Sequence, residues 1–378
     1  MLVCVLTSAA CLLTGVTTAG AVTRAAPAWE TTPLPAANIH VKAIQAFGPS
    51  DAWAAGTHWI RLVPPWVTEQ VVLRWDGRAW QAIGLGRAGD IVALAGTSSE
   101  NLWAVASETT GATVHHWNGS AWSTPPPPTD PEGRISLSTA AAAGTGIWVG
   151  GNIQRPPSIQ AVVLRWTGTA WTREQLPLPG ESSWLTGMSA RAPDDVWAVG
   201  RTRPTAEAKY DAYVLHFDGS RWSRVPTPGQ AHDVVTDTVK AVSANEVWVA
   251  GAIGDNNGPG SERPFQAFAM RWNGQDWTVT PTPSTPDAAR LAGLATDGST
   301  LWAGGTTRTS VLRFTGQDWV DGPQPMPGHP QVLALAGIPG GGLWAIGDGH
   351  DAVPGTPWTM SFIARSSTPE IRGYPERP

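Results

Sequence analysis

The chain has 378 residues, of which only 15% are charged, and a net charge of -5. With no basic run, that balance excludes a surface built to grip duplex nucleic acid or an anionic membrane. Twenty-two tryptophans, with 42 glycines and 34 prolines, mark a turn-rich β protein and exclude a helical or disordered one.

Residues 1–21 carry no charge, are rich in Leu, Val, Ala and Thr, and end in Ala19-Gly20-Ala21. This is the pattern of a secretory signal peptide cut near Ala21. The protein is therefore expected to be secreted, extracellular or associated with the cell envelope. Both cysteines, Cys4 and Cys11, fall in this segment. The remainder, 22–378, then has no disulfide, no thiolate metal site and no cysteine nucleophile. It also has no apolar run long enough to span a bilayer, so no transmembrane segment is expected.

A short strand comes next, at Ala28-Trp29-Glu30-Thr31-Thr32-Pro33. After it a four-strand unit repeats. Strand a is small and apolar, as in Ile91-Val92-Ala93-Leu94-Ala95 and Val332-Leu333-Ala334-Leu335-Ala336. Such a run suits a strand crowded on both faces. Strand b centres on a tryptophan followed by small residues and, in most copies, a glycine. Its tryptophans are Trp53, Trp103, Trp148, Trp197, Trp248, Trp302 and Trp344, at intervals of 42 to 54 residues. Strand c ends in an aromatic residue, an Asp-Gly, Asn-Gly or Thr-Gly turn follows, and a tryptophan opens strand d. Val-Leu-Arg-Trp-Asp-Gly-Arg-Ala-Trp, ending at Trp80, is one such hairpin.

Four-stranded units at this period predict an all-β, seven-bladed β-propeller with four antiparallel strands per blade, in one domain over 22–378. The seventh unit has a strand c at Ser361-Phe362-Ile363-Ala364 but no strand d of its own. The spare strand at Trp29 is expected to supply it and close the ring, which removes two free sheet edges. Eighteen of the 22 tryptophans occupy repeating positions, so they are read as packing residues. Four break the pattern: Trp358, expected at the start of strand c in the seventh unit and read as structural, and Trp59, Trp66 and Trp184, which fall in irregular connections.

The chain resembles the kelch-type propellers. The residues that carry the likeness are Gly150-Gly151 or Gly304-Gly305 ending strand b, Trp166 or Phe314 ending strand c, and Trp171 or Trp319 opening strand d. Most copies here keep one glycine, and the strand c aromatic is mainly Trp. The chain is also similar to exported, tryptophan-rich bacterial propellers. The resemblance implies the architecture and carries no activity. Some kelch-type propellers are copper radical oxidases, whose cysteine-crosslinked tyrosine has no counterpart in 22–378.

In a propeller the b–c and d–a connections open on one face, here called the top. They vary most among the copies, so a specific site is expected there. Stepping back three residues from Ala43, Ala93, Gly187, Ala241, Gly293 and Ala334 gives a ring at the channel mouth. It comprises His40, Asp90, Trp184, Thr238, Arg290 and Gln331, with Arg134 assigned to the third blade. The b–c connections near 57–69 and 201–211 add His58, Trp59, Arg61, Trp66, Arg201, Arg203, Tyr210 and Asp211. Aromatic rings beside Arg and Asp suit a sugar face and its hydroxyls. Asp255 with Asn257, and Asp348 with Asp351, offer oxygen ligands on turns but form no complete calcium loop. The expected function is a binding module that holds a glycan or an extracellular protein on its top face. One alternative is a carbohydrate-active enzyme, a lyase or glycosidase using His40 and Asp90; the other is a cell-envelope interaction scaffold. A monomer with no cofactor is expected.

Overall fold

The computed structural model describes residues 28–62, 65–108, 111–131, 133–178, 182–203, 205, 208–230, 232–255, 265–285, 289–306, 310–328, 330–349 and 360–366. Twenty-eight strands form seven four-stranded antiparallel sheets, and the described residues contain no helix. The chain is a seven-bladed β-propeller. Blade 1 runs Ile39–Gly48, Asp51–Arg61, Val67–Trp75 and Trp80–Gly84, from the inner strand a to the outer strand d. Blade 4, which matters most below, runs Ser182–Ala192, Asp195–Arg203, Asp211–Phe217 and Trp222–Val225.

Blade 7 supplies Gln331–Gly337, Leu343–Gly349 and Met360–Ser366, and its outer strand is Trp29–Thr32. Trp29 pairs with Ser366 and Thr32 with Ile363. The closing strand is also tied to the first blade, because the Trp80 indole donates to the Thr32 hydroxyl at 2.9 Å. The ring is thus closed by backbone pairing on one side and by a side-chain bond on the other. The predicted signal segment, 1–21, lies outside the described residues.

The repeated tryptophans form the joints between blades. Within a blade, the last residue of strand c and the first of strand d face each other across the hairpin, as Trp75 faces Trp80. The strand b tryptophan of the preceding blade wedges against that pair. Trp344 sits 5.3 Å from Trp75 and 5.2 Å from Trp80, ring centre to ring centre. Trp53 meets Trp117 and Trp122 in the same way, and Trp248 meets Phe314 and Trp319. The edge-on and tilted angles are those favoured by aromatic quadrupoles. The intervening turn is set by its own sequence. Gly77 takes a φ of 95°, and the Asp76 carboxylate accepts the amides of Arg78 and Ala79 at 2.8 and 2.9 Å.

A feature absent from the strand-level reading is a β-bulge near the top of every strand a. The pairing register slips between Val41 and Ala43, Ile91 and Ala93, Leu137 and Thr139, Leu185 and Gly187, Thr236 and Thr238, Leu291 and Gly293, and Val332 and Ala334. The bulge explains the glycine that ends most strand b copies. Gly200 lies opposite Leu185, and a Cβ there would strike the Trp184 carbonyl and the Tyr213 hydroxyl. Gly56 stands in the same relation to the His40 carbonyl. Blade 2 departs from the rule, with Ala106 at the equivalent place.

The two kinds of tryptophan should separate on mutation. Trp344 is fully buried in the joint between blades 7 and 1, whereas Trp66 is 49% exposed. Trp344→Ala is expected to lower stability by about 3–5 kcal/mol, as for other buried aromatic truncations. Trp66→Ala is expected to change it by less than about 1 kcal/mol. Urea titration followed by far-ultraviolet circular dichroism measures both.

Candidate functional site at the channel mouth

The bulges decide which residues reach the mouth. The residue two before each bulged position occupies equivalent places in the seven blades: His40, Asp90, Ser136, Trp184, Val235, Arg290 and Gln331. Five agree with the ring expected from sequence. Arg134 and Thr238 do not. Arg134 lies two residues earlier along its strand, paired with Gln154, and its guanidinium donates to the Glu108 carbonyl at 2.7 Å. Thr238 lies after its bulge, paired with Ala250, three residues deeper than the true equivalent, Val235. Both misplacements arise because a bulge breaks the alternation on which a register count depends.

In blades 1, 3 and 5 the bulged residue itself reaches the next blade. Lys42 of blade 1 meets the Asp90 carboxylate of blade 2 at 2.8 Å. Asp237 of blade 5 is gripped by both forks of Arg290 of blade 6. Ser138 of blade 3 donates to the Leu185 carbonyl of blade 4 at 2.9 Å. Lys42, Asp237 and Ser138 were missed in the sequence. The only available signal was a charged or polar residue interrupting an otherwise apolar strand.

These contacts fix most of the ring's charge. His40 reaches across the closure to Asp348 at 2.9 Å, and Asp348 also accepts the Ser361 hydroxyl at 2.8 Å. Asp90 takes the Lys42 ammonium and the Thr57 hydroxyl. Burial pushes its carboxyl up, but those two hydrogen bonds outweigh it and hold the carboxyl below its usual range. Asp237 is largely covered, and its pairing holds the Arg290 guanidinium above its ordinary value. Gln331 stays half-buried beside Asp348 in the ladder.

Blade 4 is different. Trp184 at the start of strand a pairs directly with Arg201 near the end of strand b. The Arg201 guanidinium lies over two aromatic faces, 5.5 Å from the Trp184 ring centre and 5.2 Å from that of Tyr210. Arg203, two residues on and so on the same side of the strand, lies 5.0 Å over Tyr210. Trp184 and Tyr210 meet edge to face at 5.7 Å. The backbone of this cluster is held from behind. The buried Tyr213 hydroxyl donates to the Trp184 carbonyl at 2.9 Å, and Asp233 accepts the Tyr210 amide. The Nε of Arg201 is buried with no hydrogen-bond partner, and among the described residues the guanidinium forms no salt bridge, its nearest opposing charge being Asp237, which Arg290 grips. Burial, and then the charge of Arg290, push it below its ordinary range, with Tyr210 and Asp237 acting the other way.

The other expected residues stand apart from this cluster. In blade 1 the long connection is mostly strand, with strand b reaching Arg61 and strand c beginning at Val67. Trp59 and Trp66 meet edge to face at 6.2 Å on that hairpin, and His58 pairs across it with Glu69. Asp211 pairs with Lys209 at 2.9 Å. Of the oxygen-rich turns, Asp255 is bound to His232 at 2.7 Å and Asp348 to His40, while Asn257 and Asp351 lie outside the described residues. Among the described residues no three acidic, histidine or cysteine side chains converge as a metal site.

A buried network shapes the top face between blades 1 and 2. Gln70 accepts through Oε1 from His115 at 2.7 Å and donates to Glu108 and to the Ala88 carbonyl, both at 3.0 Å. Arg87 closes the network on Glu108 at 3.0 Å. His115 is 2% exposed, and burial pushes its imidazole down to about 4. A depressed histidine stabilises the fold above its unfolded value near 6.5 and ceases to do so as pH falls through about 4.

No family model matches the chain, and no curated protein matches it. Solved structures do. The selenomethionine-substituted virginiamycin B lyase from Staphylococcus aureus superposes with a TM-score of 0.62 at 11% identity, over 90% of this chain and 99% of that one. The WD40 repeats of RRP9 give 0.61 at 11%, over 91% and 99%. YCF48 bound to D1 peptide gives 0.55 at 12%, over 93% and 100%. At these identities the likeness establishes the propeller fold and nothing finer. It spans WD40 and other propellers and does not single out the kelch type.

The His115 network gives a pH test. The melting temperature should hold between pH 8 and 7 and fall as pH drops from 6.5 toward 4. Part of that fall, on the order of 3 kcal/mol, belongs to His115. In His115→Gln that part is absent, so the gap between the two proteins should narrow with acidification. A constant gap would assign the acid loss to other groups.

Proposed function

We propose that this protein is an exported propeller of kelch type that binds an extracellular glycan or protein on its top face, at the blade 4 side of the channel mouth. Residues 1–21 serve as its export signal in this reading. One observation carries it: Arg201 is a half-buried cation held against two aromatic faces with no salt bridge among the described residues. Its neighbours on the ring satisfy one another, as Lys42 does with Asp90 and Arg290 with Asp237. An unpaired, partly desolvated charge lowers stability unless something binds it. An aromatic platform beside convergent polar groups is the usual form of a ligand site.

The pairings bear on the enzyme alternative unequally. Asp90 is engaged by the Lys42 ammonium and the Thr57 hydroxyl, which weighs against it as a base. His40 is bonded to Asp348 through Nε2 alone, so its other ring nitrogen is left for acid–base work, and His40→Ala is the variant that tests the alternative.

The test is affinity electrophoresis of the protein through gels containing plant, fungal and bacterial polysaccharides, with the gels assayed for released oligosaccharide. Retention without release is expected for at least one polymer. Trp184→Ala should abolish it, and Trp66→Ala should leave it intact. Release of product that is lost on His40→Ala would replace this reading with the enzyme. No retention on any polymer would overturn the glycan reading and direct the search to a protein.

A further inference from the structure

The charge balance around blade 4 narrows the ligand. The acidic groups closest in the fold are all engaged within the protein. Asp237 is held by Arg290, Asp211 by Lys209 and Asp255 by His232, and Asp233 accepts the Tyr210 amide. Arg201 and Arg203 are left as two guanidiniums on one side of one strand, stacked on the same phenol ring. Two guanidiniums beside one another are a suitable donor set for a carboxylate. The protein as a whole is acidic, at -5, so this local excess of positive charge runs against its overall field.

Resting on the binding function proposed above, we infer that the ligand is a uronate-bearing polysaccharide. Its carboxylate is bound by Arg201 and Arg203, and its pyranose ring packs on Trp184 and Tyr210. The geometry favours a hexuronate over an acidic peptide. A uronate carries its carboxylate directly on a flat ring with a C–H face, so one residue engages a guanidinium fork and an aromatic ring at adjacent points. An aspartate or glutamate side chain brings the carboxylate alone and leaves the two rings unused.

Isothermal titration of the whole protein tests this with four probes: oligogalacturonate, its methyl ester, a neutral gluco-oligosaccharide and poly-L-glutamate. Oligogalacturonate is expected to bind, and methyl esterification to weaken it by about 10–100-fold, the worth of hydrogen bonds to a charged group. Arg201→Gln should cause a similar loss, and Arg201→Lys, which keeps charge without the fork, an intermediate one. If Arg201→Gln fails to fold, esterification tests the same contact on an unchanged protein. Equal binding of the ester or the neutral sugar, lost with Trp184→Ala, would overturn the carboxylate inference and leave the glycan-binding function standing. Poly-L-glutamate binding through Arg201, with no binding of galacturonate, would overturn it in favour of an acidic protein. Binding of none of the four would overturn it as well, and the electrophoresis above would then show whether any top-face binding survives.

Discussion

The wedge of a strand b tryptophan into the aromatic pair of the next blade, present at every joint but that between blades 6 and 7, where Ser366 faces Trp29, is the contact on which the rest of the molecule depends. A four-stranded blade has two apolar faces and cannot bury either alone. Trp344 against Trp75 and Trp80, or Trp53 against Trp117 and Trp122, fixes both the spacing and the tilt of adjacent sheets. Repeated around a ring, that joint needs the last blade to meet the first. The outer strand Trp29–Thr32 therefore comes from the opposite end of the chain, and its Thr32 hydroxyl is bonded to Trp80 in blade 1.

Given that frame, the mouth of the channel is governed by a smaller device. The bulge in each strand a pushes one extra residue toward the neighbouring blade and brings a backbone carbonyl against the end of strand b. The glycine at Gly200 or Gly56 is the response to that carbonyl. In blades 1 and 5 the extra residue pairs with the ring residue of the next blade, Lys42 with Asp90 and Asp237 with Arg290. Scaffold and site thus share one origin. Bulged residues pair the charges of Asp90 and Arg290, and Asp348 pairs His40, so Arg201 with its two aromatic faces is the place left with capacity to bind.

The architecture was legible because it repeats. Seven tryptophans at one structural position leave little choice of fold, and the surplus strand at Trp29 matched the gap at the end of the chain. The site was legible only in part. His40, Asp90, Trp184, Arg290 and Gln331 were placed by counting back along strand a, and the count failed in blades 3 and 5, where Ser136 and Val235 take the positions given to Arg134 and Thr238. Charge pairing was not legible at all. His40 and Asp348 are 308 residues apart in the chain, and Arg290 and Asp237 are 53 apart. A partner in the next blade, or across the closure, leaves no mark on local pattern. The stacking of Arg201 between Trp184 and Tyr210 depends on cross-strand register in a blade whose register is itself shifted by a bulge.

The most direct measurement is a crystal structure of the protein determined free and after soaking with trigalacturonate. The expected result is an Arg201 guanidinium without a protein counter-ion in the free crystal. In the soaked crystal it should carry a ligand carboxylate, with a sugar ring against Trp184. Arg201 paired with an acidic side chain of its own chain in the free protein, or ligand density away from blade 4, would contradict the central claim that this unpaired cation is the binding site.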